Sequence, residues 1–550
     1  MKLRNIVAVC LFALVAHGRA ENDSLAQFGD DFWKWRAQFA PFTGDDVNRT
    51  ERPGGKRDWS RASMDKRRHD LAAFETQWKK LENGSAPVAQ QVDYRLLGSA
   101  LARVRWELDI NPRWERDPNF YLEQTLTSVV EALTVPAPFD AARSSEILAR
   151  LQNIPSILQS AQENLRNPPA PFATVAIEAL SSIRPQLRKM SAALAPQTTL
   201  KPEELESATN NAADALEKFR DFLRDRLPSL PQETALGREA YLFFLKNVAL
   251  YPYSPEEILA MGQQEWNRAV AFETYERERN AGTPPLKLAT DTATWMKDAS
   301  AKEEQVREFL EKHNILTVPR WVQHYTLRSI PAYLSALNFG EDDDFTSPSR
   351  LTENCVRYVA EPSSTMGYFM RATAQDPRPL TVHEGIPGHY LQLCLSWKQE
   401  DPIRHYYYDS GANEGIGFYA EEMMLQAGLF DDSPHTREII YNFMRLRALR
   451  VEVDVKLALG QFSLAQAAKY LEEKVPMDAA TARQETIAFS TAPGQAISYQ
   501  IGKLQIMKFL AEARLQQGET FNLRAFHDFV WKNGNVPIAL QRWEYLAATE

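Results

Sequence analysis

Apolar residues recur every three or four positions along most of residues 24–250, which predicts amphipathic helices. The pattern is clearest over residues 65–81 and 92–108. Short proline-rich joints separate these segments, so we expect the helices to pack directly against one another. Residues 21–250 are therefore predicted to form an N-terminal helical region.

The second half of the chain changes its pattern twice. A serine, a proline and two acids at Ser254-Pro-Glu-Glu are typical of a helix start. Within residues 353–382, Val356-Arg-Tyr-Val and Met366-Gly-Tyr-Phe-Met-Arg-Ala-Thr alternate and are rich in β-formers, which predicts short strands. Long helical patterns then follow over 411–429, 434–459, 463–473 and 480–516. Residues 251–550 are predicted to form a second, mainly helical region, so the chain as a whole is predicted to be mainly α with a few short strands.

Composition and charge exclude several classes of protein. The 550 residues include 23 Gly and 32 Pro, which does not fit a collagen-like or low-complexity chain. There are 63 Lys and Arg against 72 Asp and Glu, so the net charge is -9. Nucleic-acid binders usually carry a basic excess, so no nucleic-acid partner is expected.

Residues 1–20 are typical of a secretory signal peptide. Lys2 and Arg4 precede an apolar run over 6–16, and small residues lead to a cleavage site after Ala20. The alternative is a retained membrane anchor, but the run is short for a bilayer span. We therefore expect an exported protein, periplasmic or extracellular, with no membrane segment after cleavage.

The chain without its signal peptide retains two cysteines, Cys355 and Cys394. Two cysteines exclude both a disulfide framework and a four-cysteine zinc site. A single Cys355–Cys394 bridge and two buried thiols both remain open, and two buried thiols are the favoured interpretation.

The candidate chemistry centres on His383, Glu384 and His389. The arrangement resembles the zinc-hydrolase motif His-Glu-x-x-His, but the second histidine comes two residues late. Six residues of ideal helix turn the chain by about 600°, so a straight helix would leave the two imidazoles on different faces. Pro387 and Gly388 are expected to break the helix and to bring the histidines together.

A hydrolytic zinc site needs a third protein ligand and an open position for water. Glu414 opens a predicted helix after the motif and suits the third-ligand role beside His383 and His389. Glu421, on the same helix face, is interpreted either as a residue that orients a ligand histidine or as a solvated acid. Two hydrogen-bonded core histidines are the alternative to a zinc site.

Several motifs together resemble the DUF885 family. His383-Glu-Gly-Ile-Pro-Gly-His-Tyr-Leu-Gln is similar to its signature, and further similar motifs begin at Ser254, Asn413, Pro493 and Phe526. The resemblance implies a mainly helical fold related to zinc peptidases, with a small sheet beside the active site. It also implies that residues 251–550 are the catalytic region of a metal-dependent, peptidase-like hydrolase, and the candidate ligands His383, His389 and Glu414 predict one zinc ion. The sequence departs from the family at two positions, since Tyr390 replaces a histidine and Ile416 replaces a tryptophan.

The expected mechanism is hydrolysis of a peptide or small amide by an activated water. Glu384, next to a ligand, is predicted to be the general base. Tyr499 and His527, both within family motifs, are predicted to donate to the oxyanion; the alternatives are a packing role for the tyrosine and a helix cap for the histidine. Two other functions stay open, namely a metal-free helical binding protein that kept the fold and a hydrolase of esters or non-peptide amides.

Overall fold

The structure is a computed structural model. It describes residues 24–42, 57–337, 342–345, 347–475 and 477–547. The predicted signal peptide lies outside the described residues, so the structure does not bear on it.

The N-terminal region is helical, as its apolar spacing predicts. Its helices are α1 (24–36), α2 (Arg61–Trp78), α3 (Val88–Arg105), α4 (Arg113–Arg116), α5 (Pro118–Leu122), α6 (Ser128–Leu133), α7 (Ala141–Asn164), α8 (Ala170–Ala179), α9 (Ile183–Leu194), α10 (Pro202–Arg226) and α11 (Arg238–Phe243).

The rest of the chain adds further helices and three short strands. The helices are α12 (Pro255–Arg279), α13 (Thr292–Lys312), α14 (Ala332–Ser335), α15 (Tyr368–Gln375), α16 (Arg378–Leu380), α17 (His389–Ser396), α18 (Pro402–Tyr406), α19 (Ser410–Ala427), α20 (Pro434–Ala458), α21 (Leu464–Lys474), α22 (Ala479–Thr491), α23 (Gln495–Gln517), α24 (Leu523–Lys532) and α25 (Ile538–Ala547). The start of α12 is confirmed, because Ser254 and Glu257 form a reciprocal capping box there.

The strands form one small sheet in the order β1, β3, β2. They are β1 (Tyr325–Ser329), β2 (Asp342–Asp344) and β3 (Cys355–Val359). β1 is parallel to β3, and β2 is antiparallel to it. The fold is therefore mainly α with a small sheet, as predicted.

Two local predictions are wrong. The alternation over 366–373 predicts a strand, but the segment belongs largely to helix α15. A helix satisfies its own backbone hydrogen bonds without a neighbouring strand, and Tyr368 at its start donates to Asp478 and Asn442. The stretch 480–516 is two helices, α22 and α23, because Pro493 lacks the N–H that a continuous helix requires.

The hydrophobic core joins both predicted regions. Helices of the N-terminal region pack around one cluster that also includes Tyr333, Val356, Ile403 and Val536. In the other half of the chain, α12 packs along α20 and α19 packs along α23. None of the described helices combines the length and the apolar character needed to cross a bilayer.

Both cysteines are buried free thiols, which confirms the interpretation that the sequence favoured. Cys355 lies at the start of β3 and Cys394 lies in α17.

Candidate metal centre

The helix break predicted between Glu384 and His389 is confirmed. A wide helical turn over Thr381–Gly385 carries His383 and Glu384. The next residue, Ile386, is extended (φ -115°, ψ 122°), and α17 begins at His389. The two histidines therefore lie on separate helical segments rather than on one straight helix.

Gly388 allows the chain to fold back at this break. A Cβ atom at this position would lie 1.8 Å from the backbone oxygen of His383, which is far inside any real contact. The turn is also fixed from outside, since the indole N–H of Trp531 donates to the Pro387 carbonyl over 2.5 Å. Glycine is thus required at position 388 because the His383 backbone lies so close to it, and α24 holds the turn in place.

The break brings the predicted ligands together. One ligand atom each from His383, His389 and Glu414 can be chosen so that all three lie within 4.8 Å of one another. Glu414 Oε2 lies 3.6 Å from His383 Nε2 and 3.3 Å from His389 Nε2. Ligands about 2.0–2.1 Å from one tetrahedral zinc ion lie about 3.4 Å apart, so these separations suit one metal ion.

Helix α19 supplies the carboxylate and also makes room for both rings. Its N-terminus is capped by Asp409, whose side chain accepts from the Ala412 N–H over 2.9 Å. A Cβ atom at Gly417 would lie 2.8 Å from His389 Cε1 and 3.1 Å from His383 Cε1. The absence of a side chain there lets both imidazoles pack against the helix that carries Glu414.

The predicted role of Glu421 in orienting a ligand histidine agrees with its position. Its Oε1 lies 2.6 Å from His383 Nδ1 and 2.8 Å from Arg447 Nη2. A carboxylate at Nδ1 directs Nε2 of the same ring toward Glu414 and His389. Glu421 is fully buried, so the alternative of a solvated acid is excluded.

The charges in the cluster shift two pKa values strongly. Burial and Arg447 lower the pKa of His383, but the carboxylates of Glu414 and Glu421 more than offset them and raise it to about 9. Burial would raise the pKa of Glu414, but His389 and His383 lower it well below its usual range. The glutamate is therefore ionised, as a metal ligand must be.

A buried amide pair connects the two ligand helices. The Asn413 amide donates to the Gln392 side chain, and Gln392 in turn donates to Asn535 over 2.5 Å. Gln392 lies one turn after His389, and Asn413 immediately precedes Glu414. The pair thus fixes α17 against α19 beside the candidate ligands.

Tyr499 lies beside the cluster, on α23. Its ring is nearly parallel to that of His383, with ring centroids 6.1 Å apart. Burial and the Glu414 carboxylate raise the pKa of Tyr499 well above its usual value, so the hydroxyl stays protonated.

Asp454 holds the start of α23, because it accepts from the N–H groups of Gly494 and Ala496, each over 2.9 Å.

A cavity of about 900 Å³ opens onto this cluster. His383, Glu384, Glu421 and Tyr499 all line it. Glu384 is only half-buried, whereas His383 beside it is buried. The predicted base therefore borders the space that a substrate would occupy.

His527 does not reach this cavity, so the structure gives no support to its predicted role as an oxyanion donor. It is fully buried, its Nε2 lies 2.9 Å from the Tyr419 hydroxyl, and its Nδ1 lies 2.8 Å from the Ile315 carbonyl. Burial lowers its pKa to about 4, so the ring is neutral. Next to it, Asp528 accepts from the Thr317 backbone N–H over 2.8 Å. The Phe526-His-Asp motif thus anchors the chain before β1 to α24.

The two departures from the family pattern lie outside the cluster. Tyr390 is fully buried among apolar side chains, and the Cys394 and Cys355 side chains are among its electrostatic neighbours. Ile416 is also fully buried in this core. The candidate ligand is His389, so the tyrosine at position 390 removes none of the three candidate ligands.

Arg447 and Arg450 are site residues that sequence reasoning missed. Both lie on α20, both are buried, and both line the cavity. Arg450 lies 4.8 Å from the centroid of the Tyr499 ring and forms a two-bond ion pair with Glu485. One signal in the sequence could have found them. Two arginines about one turn apart within the apolar run of a predicted helix indicate buried ion pairs.

The fold and the site together define the class of this protein, which is mainly helical and has a candidate metal centre beside a cavity. The chain belongs to the DUF885 family, described as bacterial protein of unknown function, whose profile matches residues 49–543. None of the curated proteins is similar enough to match.

Two solved structures share the fold. One is a candidate lipoprotein of unknown function from Shewanella oneidensis, with a TM-score of 0.73 and 18% identity over 95% of this chain and 99% of that chain. The other is a candidate lipoprotein from Colwellia psychrerythraea, with a TM-score of 0.76 and 17% identity over 96% of this chain and 99% of that chain. At this identity the likeness shows the fold alone.

Proposed function

We propose that this protein is a metal-dependent hydrolase that cleaves peptide bonds with an activated water. The observation that carries the proposal is the meeting of His383, His389 and Glu414 beside a cavity that His383 and Glu384 line. The three ligands leave a fourth tetrahedral position for water, as hydrolytic zinc sites do.

The donor set fits zinc. Two imidazole nitrogens and one carboxylate oxygen are the ligands that catalytic zinc takes in several hydrolases. Glu414 Oε2 is buried, and no described donor is aimed at it with hydrogen-bond geometry. A cation held between this oxygen and the two imidazole rings compensates the charge of the buried carboxylate. Zinc bound here would lower the pKa of a water and polarise the substrate carbonyl.

The chain's own residues supply the proton chemistry. Glu384 follows a ligand in the sequence and borders the cavity, where it takes the proton of the attacking water and returns it to the leaving amine. Tyr499 keeps its proton and donates a hydrogen bond to the oxyanion. Glu421 holds the His383 ring in the orientation that the ligand role requires.

We expect about one zinc ion per chain. The protein, purified without chelators and reconstituted with zinc, is analysed by plasma mass spectrometry, with a His383→Ala variant as the control that removes a ligand. Zinc in the wild type and little in the variant supports the centre. A content near zero in the reconstituted wild type contradicts it and favours a metal-free binding protein.

The reaction class is tested with the zinc-loaded protein. A peptide library and a panel of esters and non-peptide amides are followed by mass spectrometry. Cleavage of the peptides supports the peptidase proposal. Turnover confined to the second panel would support the alternative, a hydrolase of esters or other amides.

We infer that the protein is exported. The basic start, the apolar run and the small residues before Ala20 support a cleaved signal peptide. The two similar structures are described as candidate lipoproteins, which agrees with export to the cell envelope. Cys10 lies inside the apolar run rather than after it, so we do not propose a lipid anchor.

The exported protein is expected to begin at or near Glu21. N-terminal sequencing of the protein recovered outside the cytoplasm measures this. Recovery of intact Met1 in a membrane fraction would instead show a retained anchor.

A further inference from the structure

The cavity has a second wall that does not come from the candidate metal centre. Leu122, Leu126 and Ile183 line the same space as His383 and Glu384. These three apolar residues belong to the N-terminal helical region, about two hundred residues or more before the motif. The N-terminal region therefore shapes the substrate space rather than merely supporting the fold.

An ion pair joins the two walls at the rim. Glu178, on α8, pairs with Arg483, on α22, and both side chains are about half exposed. Their sequence neighbours Ala179 and Gln484 line the cavity. An exposed pair adds little stability, but its presence shows that the walls meet at this edge. A long chain passing this edge would have to part them.

Two of the arginines that line the cavity lie against carboxylates of the protein. Arg447 lies against Glu421, and Arg450 pairs with Glu485 through two bonds. Phe369 adds apolar surface to the same lining. Because each of these two guanidinium groups faces a carboxylate and the N-terminal wall is apolar, an apolar side chain of the substrate fits against that wall.

We propose that the site takes short peptides with an apolar side chain beside the scissile bond, and that Leu126 limits the size of that side chain. The inference rests on the proposed hydrolase function and deepens it. A cavity of about 900 Å³ holds a ligand of drug-like size, which is a peptide of a few residues. Leu126 is only partly buried, so its truncation enlarges the cavity without removing a core residue.

Substrate length is tested with a ladder from a blocked dipeptide to a reduced and alkylated protein. Cleavage is measured with the zinc-loaded wild type, and binding is measured by calorimetry with Glu384→Gln. We expect cleavage and binding of short apolar peptides, and neither for the alkylated protein. Equal binding of long and short chains overturns the inference and leaves the peptidase proposal standing. Length-limited binding without any cleavage overturns the peptidase proposal alone.

Side-chain size is tested with Leu126→Ala against Leu148→Ala. Both leucines are partly buried against the same core, but only Leu126 lines the cavity. We expect Leu126→Ala to raise kcat/KM for a bulky aromatic side chain relative to a small one by about tenfold or more. Leu148→Ala should leave this ratio unchanged. An unchanged ratio in both variants, or an equal change in both, overturns the assignment of Leu126.

Discussion

Glu384→Gln is expected to lower peptide hydrolysis by about 10²- to 10⁴-fold while zinc stays bound. The amide introduced by this substitution keeps nearly the shape of the native carboxylate but does not accept the proton of the attacking water. The metal is expected to be retained because the proposed ligands are His383, His389 and Glu414, and Glu384 is not among them. Steady-state kinetics and zinc content are measured on the same preparation.

Glu414→Gln is the informative comparison, because it removes a ligand by the same chemical change. It is expected to lose both zinc and activity. Glu473→Gln is the matched control, since Glu473 is an exposed acid on α21 with no part in the site. Equal loss of zinc from the Glu384 and Glu414 variants would show that Glu384 had been assigned the wrong role.

The candidate site was largely predictable because its signals are local. Pro387 has no N–H to donate within a helix, and Gly388 tolerates backbone conformations that other residues avoid. These two residues by themselves therefore predict the helix break before His389. Glu414 could be proposed because an acid on the helix that follows the motif can supply the third ligand that a hydrolytic zinc site needs. The structure adds the distances, and these suit one metal ion.

The parts that escaped prediction depend on distant neighbours. Segment 366–373 has residues suited to a strand, but it forms a helix in which Tyr368 donates to Asp478 and Asn442, from segments far apart in sequence. His527 has the chemistry of an oxyanion donor, yet its two nitrogens contact Tyr419 and the Ile315 carbonyl, from segments far apart in sequence. The cavity wall around Leu126 could not be predicted, because it contains no sequence motif. Its apolar residues follow the same pattern as core residues, and only the fold shows that they line a cavity.

Gly388→Ala is expected to lower zinc affinity by about 100-fold or more, because it disrupts the geometry on which the centre depends. The added Cβ would lie 1.8 Å from the His383 carbonyl oxygen and 2.5 Å from the Val382 carbonyl oxygen, so the backbone must move. That movement separates His383 from His389. The crowding is also expected to lower the free energy of unfolding by about 1–3 kcal/mol. Competition with a chromogenic chelator measures the affinity, and denaturant unfolding measures the stability.

Two further variants separate an effect on the metal centre from a general loss of folding. Gly282→Ala is the control, because a Cβ there meets no atom within 4 Å, and its zinc affinity should equal that of the wild type. Gly417→Ala would crowd the His389 and His383 rings at 2.8 and 3.1 Å without touching the break, so it should weaken zinc binding in a chain that still folds. Wild-type zinc affinity in both Gly388→Ala and Gly417→Ala would contradict a metal ion held between these histidines. Weak zinc binding in Gly388→Ala and Gly417→Ala, with wild-type zinc binding in Gly282→Ala, would show that the metal requires close packing of the His383–His389 motif against α19.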